Sequence, residues 1–186
     1  MQPLGKPHFP PVFDLGGDLF LHSAEPHNAE EVFGVVDASR EHLRAWLPWV
    51  DASREAKDTR AFLEQVAGQH LRGEAATFLI RERGTLAGIV GLHNFDTVNR
   101  SYQIGYWLAK DFEGRGLITR SCEHLVTVTF EFYEMERAVI RSALGNIRSA
   151  AVPKRLGFVL EGLERHGQKL NGRFIDLERY SRLSGE

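Results

Sequence analysis

The sequence predicts an α/β protein built on a mixed sheet, and three observations carry that reading. Short aromatic and branched runs recur along the chain as strands, runs with an apolar period near 3.6 stand between them as helices, and a glycine turn leads from one strand straight into a long helix. Strands, a helix, a strand, a helix and two further strands in that order fit the α/β class.

Residues 1–17 carry Pro3, Pro7, Pro10 and Pro11 with Gly5, Gly16 and Gly17, too punctuated for a helix, and are expected as an N-terminal arm ahead of one domain over 18–186. Leu19-Phe20-Leu21-His22 reads as the first strand. Asn28 is placed to cap a helix running through Val32, Phe33, Val35 and Val36, and Arg40 to Trp46 continues helically until Pro48 interrupts it. Thr59 to Leu71 reads as an amphipathic helix with Ala61, Phe62, Val66 and Ala67 inward. Ala76 to Arg81 and Leu86 to Leu92 form a hairpin about Arg83-Gly84-Thr85, and His93, Asn94, Phe95, Asp96 and Asn99 follow as a polar loop.

Ser101 to Leu108 is the central strand, and Leu117 to Tyr133 is a helix with no glycine or proline. Between them lies Asp111-Phe112-Glu113-Gly114-Arg115-Gly116-Leu117-Ile118-Thr119. A helix opening presents free amides and the positive end of the helix dipole, so a glycine turn leading into it can wrap backbone N–H groups around a phosphate. Gly114 and Gly116 permit the close approach, and Arg115 can add a side-chain charge. An ordinary strand-to-helix turn is the plainer account of two glycines. Neither the third glycine of a dinucleotide fingerprint nor the Gly-Lys-Ser/Thr of a P-loop is present.

Beyond this helix, Ala138 to Ala143 reads as a strand, Ile147 to Leu156 as a short helix, and Val159 to His166 with Phe174 to Arg182 as a hairpin about Asn171-Gly172. The chain has 186 residues, 42% of them hydrophobic, enough for one core. A net charge of −2 argues against an electrostatic nucleic-acid binder. Cys122, the single cysteine, has no partner for an internal disulfide and suits a helix core. No signal peptide or membrane-length apolar run is visible, so a cytoplasmic protein without membrane contact is expected. Eight histidines invite a metal site, but they lack ligand-type spacing, and none is expected.

Asn146-Ile147-Arg148-Ser149 and Lys154-Arg155-Leu156-Gly157-Phe158 stand about 30 residues beyond the glycine turn. In that order, these motifs resemble the GCN5-related N-acetyltransferase (GNAT) superfamily. Glu41 to Val50, Ile104-Gly105-Tyr106-Trp107-Leu108 and Leu170-Asn171-Gly172 with Phe174 and Asp176 resemble its RimJ/RimL branch, and the similarity spans Leu19 to Leu183. The resemblance implies a mostly antiparallel sheet of six to seven strands that splays between its fourth and fifth, acetyl-CoA as acetyl donor, and frequent homodimers. It implies that Gly114, Arg115, Gly116, Leu117, Ile118 and Thr119 bind the pyrophosphate, that Trp107, Leu108 and Asn146 hold the pantetheine arm, and that Ser149 meets the leaving sulfur. Trp49, His93 and Gln103 would wall the acceptor site. Asn146 is also a natural helix cap, Ser149 a natural packing serine, and Trp46 and Trp49 natural anchors.

The resemblance leaves the proton acceptor open. Gln103 and Gln168 stand where relatives often carry glutamate, and glutamine is no base. Glu161, Glu164 and His166 on one strand, His93 or Asp96 facing it, or a water relay, are the substitutes. Glu113 departs from the glycine-loop pattern and is expected to turn its carboxylate away from the anion; Ile118 also departs from it. Three functions follow: N-terminal acetylation of a protein, ribosomal proteins included; acetylation of a small amine; or acyl-CoA binding without turnover.

Overall fold

The structure, a computed structural model, describes residues 7–186. Eight strands form one sheet: β1 (Val12–Asp14), β2 (Leu19–Ser23), β3 (Ala76–Glu82), β4 (Thr85–Asp96), β5 (Ser101–Leu108), β6 (Arg137–Ala143), β7 (Val159–Leu170) and β8 (Arg173–Leu183). Their spatial order is β1-β2-β3-β4-β5-β6-β8-β7, and every neighbouring pair is antiparallel except β5 with β6. The α/β mixed sheet is therefore as expected, with one strand more than the upper count.

That extra strand lies inside the expected arm. Val12–Asp14 pairs with Phe20–His22, and the turn between them uses Gly16, Gly17 and Asp18 at positive φ. Arg120 fixes this turn by donating to the Leu15 and Gly16 carbonyls, while Phe13 packs edge-on to Phe78 and His124. A Gly-Gly between apolar runs is a hairpin signal that the prolines masked. The arm's residues 1–6, including Pro3, lie outside the described residues.

Helices α1 (Ala29–Ala38), α2 (Arg40–Arg44) and α3 (Ala56–Leu71) cover one face of the sheet, where Val32, Val36, Leu43 and Leu63 meet Leu79, Leu86 and Ile89. Helices α4 (Leu117–Phe132) and α5 (Ile147–Arg155) cover the other, where Leu117, Cys122, Leu125 and Val126 meet Phe78, Val90, Ile104 and Ile140. Covered on both sides, β3 buries five residues in a row, Ala76–Ile80, instead of alternating. Asn28 precedes α1 but does not cap it with its side chain; that oxygen accepts from the Glu25 amide one turn earlier. The expected polar loop also starts later, because β4 runs on through His93 to Asp96 with a bulge at which Asn94 takes φ 55. The hairpin turns Arg83-Gly84 and Asn171-Gly172 both have positive φ at each residue, the conformation that matches strand twist.

Helix α4 is held by one apolar stripe, and its buried Thr129 is bonded to the Tyr102 hydroxyl of β5 at 2.5 Å. Leu125 is fully buried in that stripe. Truncation in Leu125→Ala is expected to cost about 2–5 kcal/mol of stability in denaturant unfolding, by lost burial plus an unfilled cavity.

Candidate active site

Pairing between β5 and β6 runs only from Ser101 opposite Arg137 to Ile104 opposite Ile140. Beyond it, β5 stays on β4 as far as Leu108 and β6 stays on β8 as far as Ala143, so the two diverge. With the extra strand counted, this is the splay expected between the fourth and fifth strands. The Ala109 amide donates to the Ala87 carbonyl on β4 (2.8 Å). Strand alternation then turns the Leu108 and Tyr106 amides the other way, into the gap. A cleft of about 1140 Å³ runs through this gap, lined from both faces of the sheet.

On the α4 face the cleft ends at the glycine turn. Gly114 and Gly116 take φ 75 and 73, and a side chain built at either would meet nothing within 4 Å, so open space lies beside the loop. Gly116 is the N-cap of α4 and offers no side-chain acceptor; among the described residues none bonds the amides of Leu117, Ile118 and Thr119. Three amides at the positive end of a helix, beside room for a ligand, can take up an anion. The side chain of Arg115 is not part of it, because its guanidinium is taken by Glu82 (2.8 Å) and the Asp111 carbonyl (2.7 Å) and lies over Phe112. Arg115 contributes backbone at most. The cations that do line the cleft here are Arg148 and Arg155, the latter donating to the Thr119 hydroxyl at 3.0 Å. Glu113 does not turn away as expected; it lines the cleft, where Arg148 bonds it and His42 lies 3.3 Å off, so its charge is compensated.

Asn146 and Ser149 both line the cleft. Asn146 is the N-cap of α5, its oxygen accepting from the Ser149 amide at 3.1 Å, which leaves its NH₂ group for other partners. The Ser149 hydroxyl points at the Tyr106 hydroxyl (3.4 Å), and Tyr106 itself donates to the Ser149 carbonyl (3.0 Å). Burial pushes the Tyr106 phenol up, so it stays a donor. In the sequence Tyr106 stands out only as part of the Ile104 to Leu108 motif, and its alternation with Tyr102 and Ile104 is the signal that puts it on the α4 face of β5. Ser142, also missed, lines the cleft with a buried hydroxyl that has no partner among the described residues.

The opposite face of the gap carries His93 and Gln103, cross-strand partners on β4 and β5. His93 Nε2 lies 3.3 Å from where a Gly105 side chain would begin, so glycine keeps this approach clear. Burial and then nearby Arg141 lower the His93 pKa, against a hydrogen bond to Asn94 that raises it; near neutral pH the ring is uncharged. Trp46, Leu47 and Gln168 complete this end, with Gln168 donating to the Trp46 carbonyl at 3.2 Å. Trp49, expected in the wall, is not among the cleft-lining residues and instead packs beside Trp107 at 6.2 Å between ring centroids, while Trp46 lines the cleft. The turn after α2 decides which tryptophan faces inward, and that was not readable from spacing.

Of the five candidate bases only His93 reaches the cleft. Glu161 is bonded to Arg137 (2.5 Å) and Ser181 and lies near Arg179, which hold its carboxyl at about 2. Glu164 is shared by Arg141 and Arg179. His166 sits in a β7 bulge at φ 53 with its ring stacked on Phe174, and Asp96 accepts from the Val98 and Asn99 amides of its own turn. Glu161 and His166, expected as catalytic residues, are therefore not among the residues that line the cleft. Among the described residues no cluster of His, Cys, Asp and Glu stands close enough to hold a metal.

Comparison with known proteins gives the same answer as the geometry. Residues 18–159 match the Acetyltransferase (GNAT) domain family. YdaF of Bacillus subtilis (strain 168) is 40% identical over 173 residues, covering 90% of this chain and 92% of the relative. The ribosomal-protein-serine acetyltransferase of Escherichia coli (strain K12) is 27% identical over 165 residues, covering 89% and 92%. Among solved structures, RimL, a ribosomal L7/L12 α-N-protein acetyltransferase in complex with coenzyme A, superposes with TM-score 0.89 at 27% identity over 92% of this chain and 97% of that one. The microcin C7 self-immunity acetyltransferase MccE, in complex with acetyl-CoA and AMP, gives TM-score 0.90 at 26% identity, with 94% and 97% covered. A free amide cradle, a sheet that parts beside it and a family match over most of the chain converge: the protein belongs to the GNAT acetyltransferase family.

Proposed function

We propose that the protein transfers an acetyl group from acetyl-CoA to the N-terminal α-amine of a protein, by direct attack with both substrates bound. The observation that carries this reading is that one cleft joins the unpaired amides of Leu117, Ile118 and Thr119 to the unpaired edge of β5. The residues fit the coenzyme: the amides and Arg155 suit its phosphates, the Asn146 NH₂ and the Ser142 hydroxyl suit its amide-bearing arm, and the gap between β5 and β6 suits an extended chain. When bound, acetyl-CoA supplies an activated acetyl thioester. The Leu108 and Tyr106 amides aim at the gap where negative charge develops on the acetyl oxygen. Ser149, held by Tyr106, is the donor available to the departing sulfur.

The acceptor amine must lose a proton, and His93 is the base. It is uncharged near neutral pH and stands on the acceptor side of the gap beside Gly105. An α-amine, with a pKa of about 8, needs less help than a lysine at about 10, so a histidine whose basicity is lowered suits an N terminus better. The protein-acceptor names of the E. coli relative and of RimL support a ribosomal protein as substrate, and the cytoplasm as its compartment. A homodimer fits the family pattern, and the exposed Val159 and Leu160 of edge strand β7 offer apolar surface for one, which sedimentation would read.

Thiol release measured across N-terminal peptides, lysine-bearing peptides and polyamines tests the reading, with N-terminal peptides expected to turn over fastest. Transfer to polyamines alone would replace it with the small-amine reading, and coenzyme binding without thiol release would replace it with a binding protein. In the same assay His93→Gln is expected to lower kcat by about a hundredfold or more and to remove an acid limb of kcat/KM lying below the ordinary histidine value of 6.5. The sign follows from the lowered pKa, since activity needs the neutral ring and falls as pH drops through that value. A variant that keeps both rate and acid limb would take His93 out of the mechanism. Gly116→Val is expected to abolish coenzyme binding in calorimetry, because a branched residue strains at φ 73 and fills the open space beside the amides.

A further inference from the structure

The sheet face that carries His93 and Gln103 continues past the gap onto β6, β8 and β7, while α1 and α3 pack on β4 and β3; on the continued face Arg141 and Arg173 are exposed beside buried Val139, Leu177 and Ser181. Strand pairing places Arg137 and Arg141 of β6, Arg179 and Arg173 of β8, and Gln168 of β7 on this one face. The carboxylates among them are Glu161, bonded to Arg137 and close to Arg179, and Glu164, bonded to Arg141 and Arg179. Four guanidinium groups thus face two carboxylates, on a chain whose net charge is −2.

The excess concentrates at the β7–β8 hairpin tip. Arg173 and, in the β7 bulge, Arg165 are exposed there and make no ion pair among the described residues; Lys169, opposite Phe174, lies on the other face, and no carboxylate lies between 165 and 173. Of the acids on neighbouring segments, Asp176 accepts from the His166 amide, Asp51 pairs with Arg44, and Glu41 is exposed on α2. The tip is clamped to the cleft rim by two hydrogen bonds, Gln168 to the Trp46 carbonyl and Asn171 to the Arg44 carbonyl, each 3.2 Å. From Arg179, opposite Arg141 at the cleft, to Arg173 at the tip is six strand positions, about 20 Å and room for about six extended residues.

We propose that this face receives the segment that follows the acceptor amine, and that it selects an acidic segment, one bearing several Asp or Glu side chains within its first residues. The proposal rests on the amine-transfer reading and specifies its substrate. A polycation would meet like charge along the same path. A second copy docked here would bring the same arginine excess to both sides of the contact, whereas an acidic segment complements it. Rim charges of this kind act through encounter and KM, and salt screens them.

The test uses the full chain at saturating acetyl-CoA, with peptides that differ only in having acidic, neutral or basic residues at positions two to six. The acidic peptide is expected to exceed the neutral one in kcat/KM by about tenfold or more, through KM. That advantage is expected to disappear in Arg173→Glu and in about 0.5 M salt, with kcat and neutral-peptide turnover kept. Equal rates for acidic and neutral peptides, preference for basic peptides or polyamines, or an unshifted Arg173→Glu would overturn the proposal. Fluorescence anisotropy of the same peptides with blocked N termini separates the two readings. Charge-selective binding with no thiol release from any amine would sustain the surface and remove the transferase, whereas turnover without charge selection would do the reverse.

Discussion

Two neighbouring strands that stop pairing halfway along leave backbone donors and acceptors bare, and β5 and β6 do this from Gly105 onward. Bare groups of that kind are costly unless water or a ligand meets them. The gap cannot simply close, because each strand is committed elsewhere. A side chain at Gly88 would run into the Trp107 carbonyl, so close is the contact of β4 with β5, and β6 is paired with β8 through Ala143. Tyr106 then spans from β5 to the Ser149 carbonyl and ties the opening turn of α5 to the edge of the gap. A rigid opening with one strand's worth of unmet hydrogen bonds is suited to an extended, amide-bearing chain.

Helix placement turns this opening into a two-sided passage. Helices α4 and α5 point their N-terminal ends into the cleft on one face, the first with bare amides and the second with Asn146. On the other face α2 and the β7–β8 hairpin frame His93 and Gln103. A donor bound on one side and an amine entering from the other would meet where the strands part. Charge follows the same division: arginines flank both ends of the passage, while Glu113, the one acidic residue lining it among the described residues, is compensated by Arg148.

Local patterns were legible in the sequence where chemistry is local. Positive φ at Asn171-Gly172, the apolar stripe of α4, the Asn146 cap and the glycine turn at Gly114 and Gly116 all follow from residue type and spacing. Features set by contacts between distant segments were not. Whether Arg115 meets an anion depends on Glu82, which lies on another strand. Glu161 looked like a base until Arg137 and Arg179 were placed beside it by pairing between β6, β8 and β7. Trp46 and Trp49 lie three residues apart, and only the turn between them sorts one to the cleft and the other to the side of Trp107. The strand at Val12–Asp14 was hidden because proline content argued more loudly than the Gly-Gly turn.

The central claim is that three amides at the start of α4 are reserved for the coenzyme's phosphates. It is tested most directly by titrating the ¹⁵N-labelled protein with coenzyme A and following the amide resonances of Leu117, Ile118 and Thr119. The account predicts that these three exchange readily with solvent in the free protein and shift downfield as coenzyme is added, saturating together with the Leu108 amide. Resonances that stay fixed, or that are already protected before coenzyme is added, would contradict it.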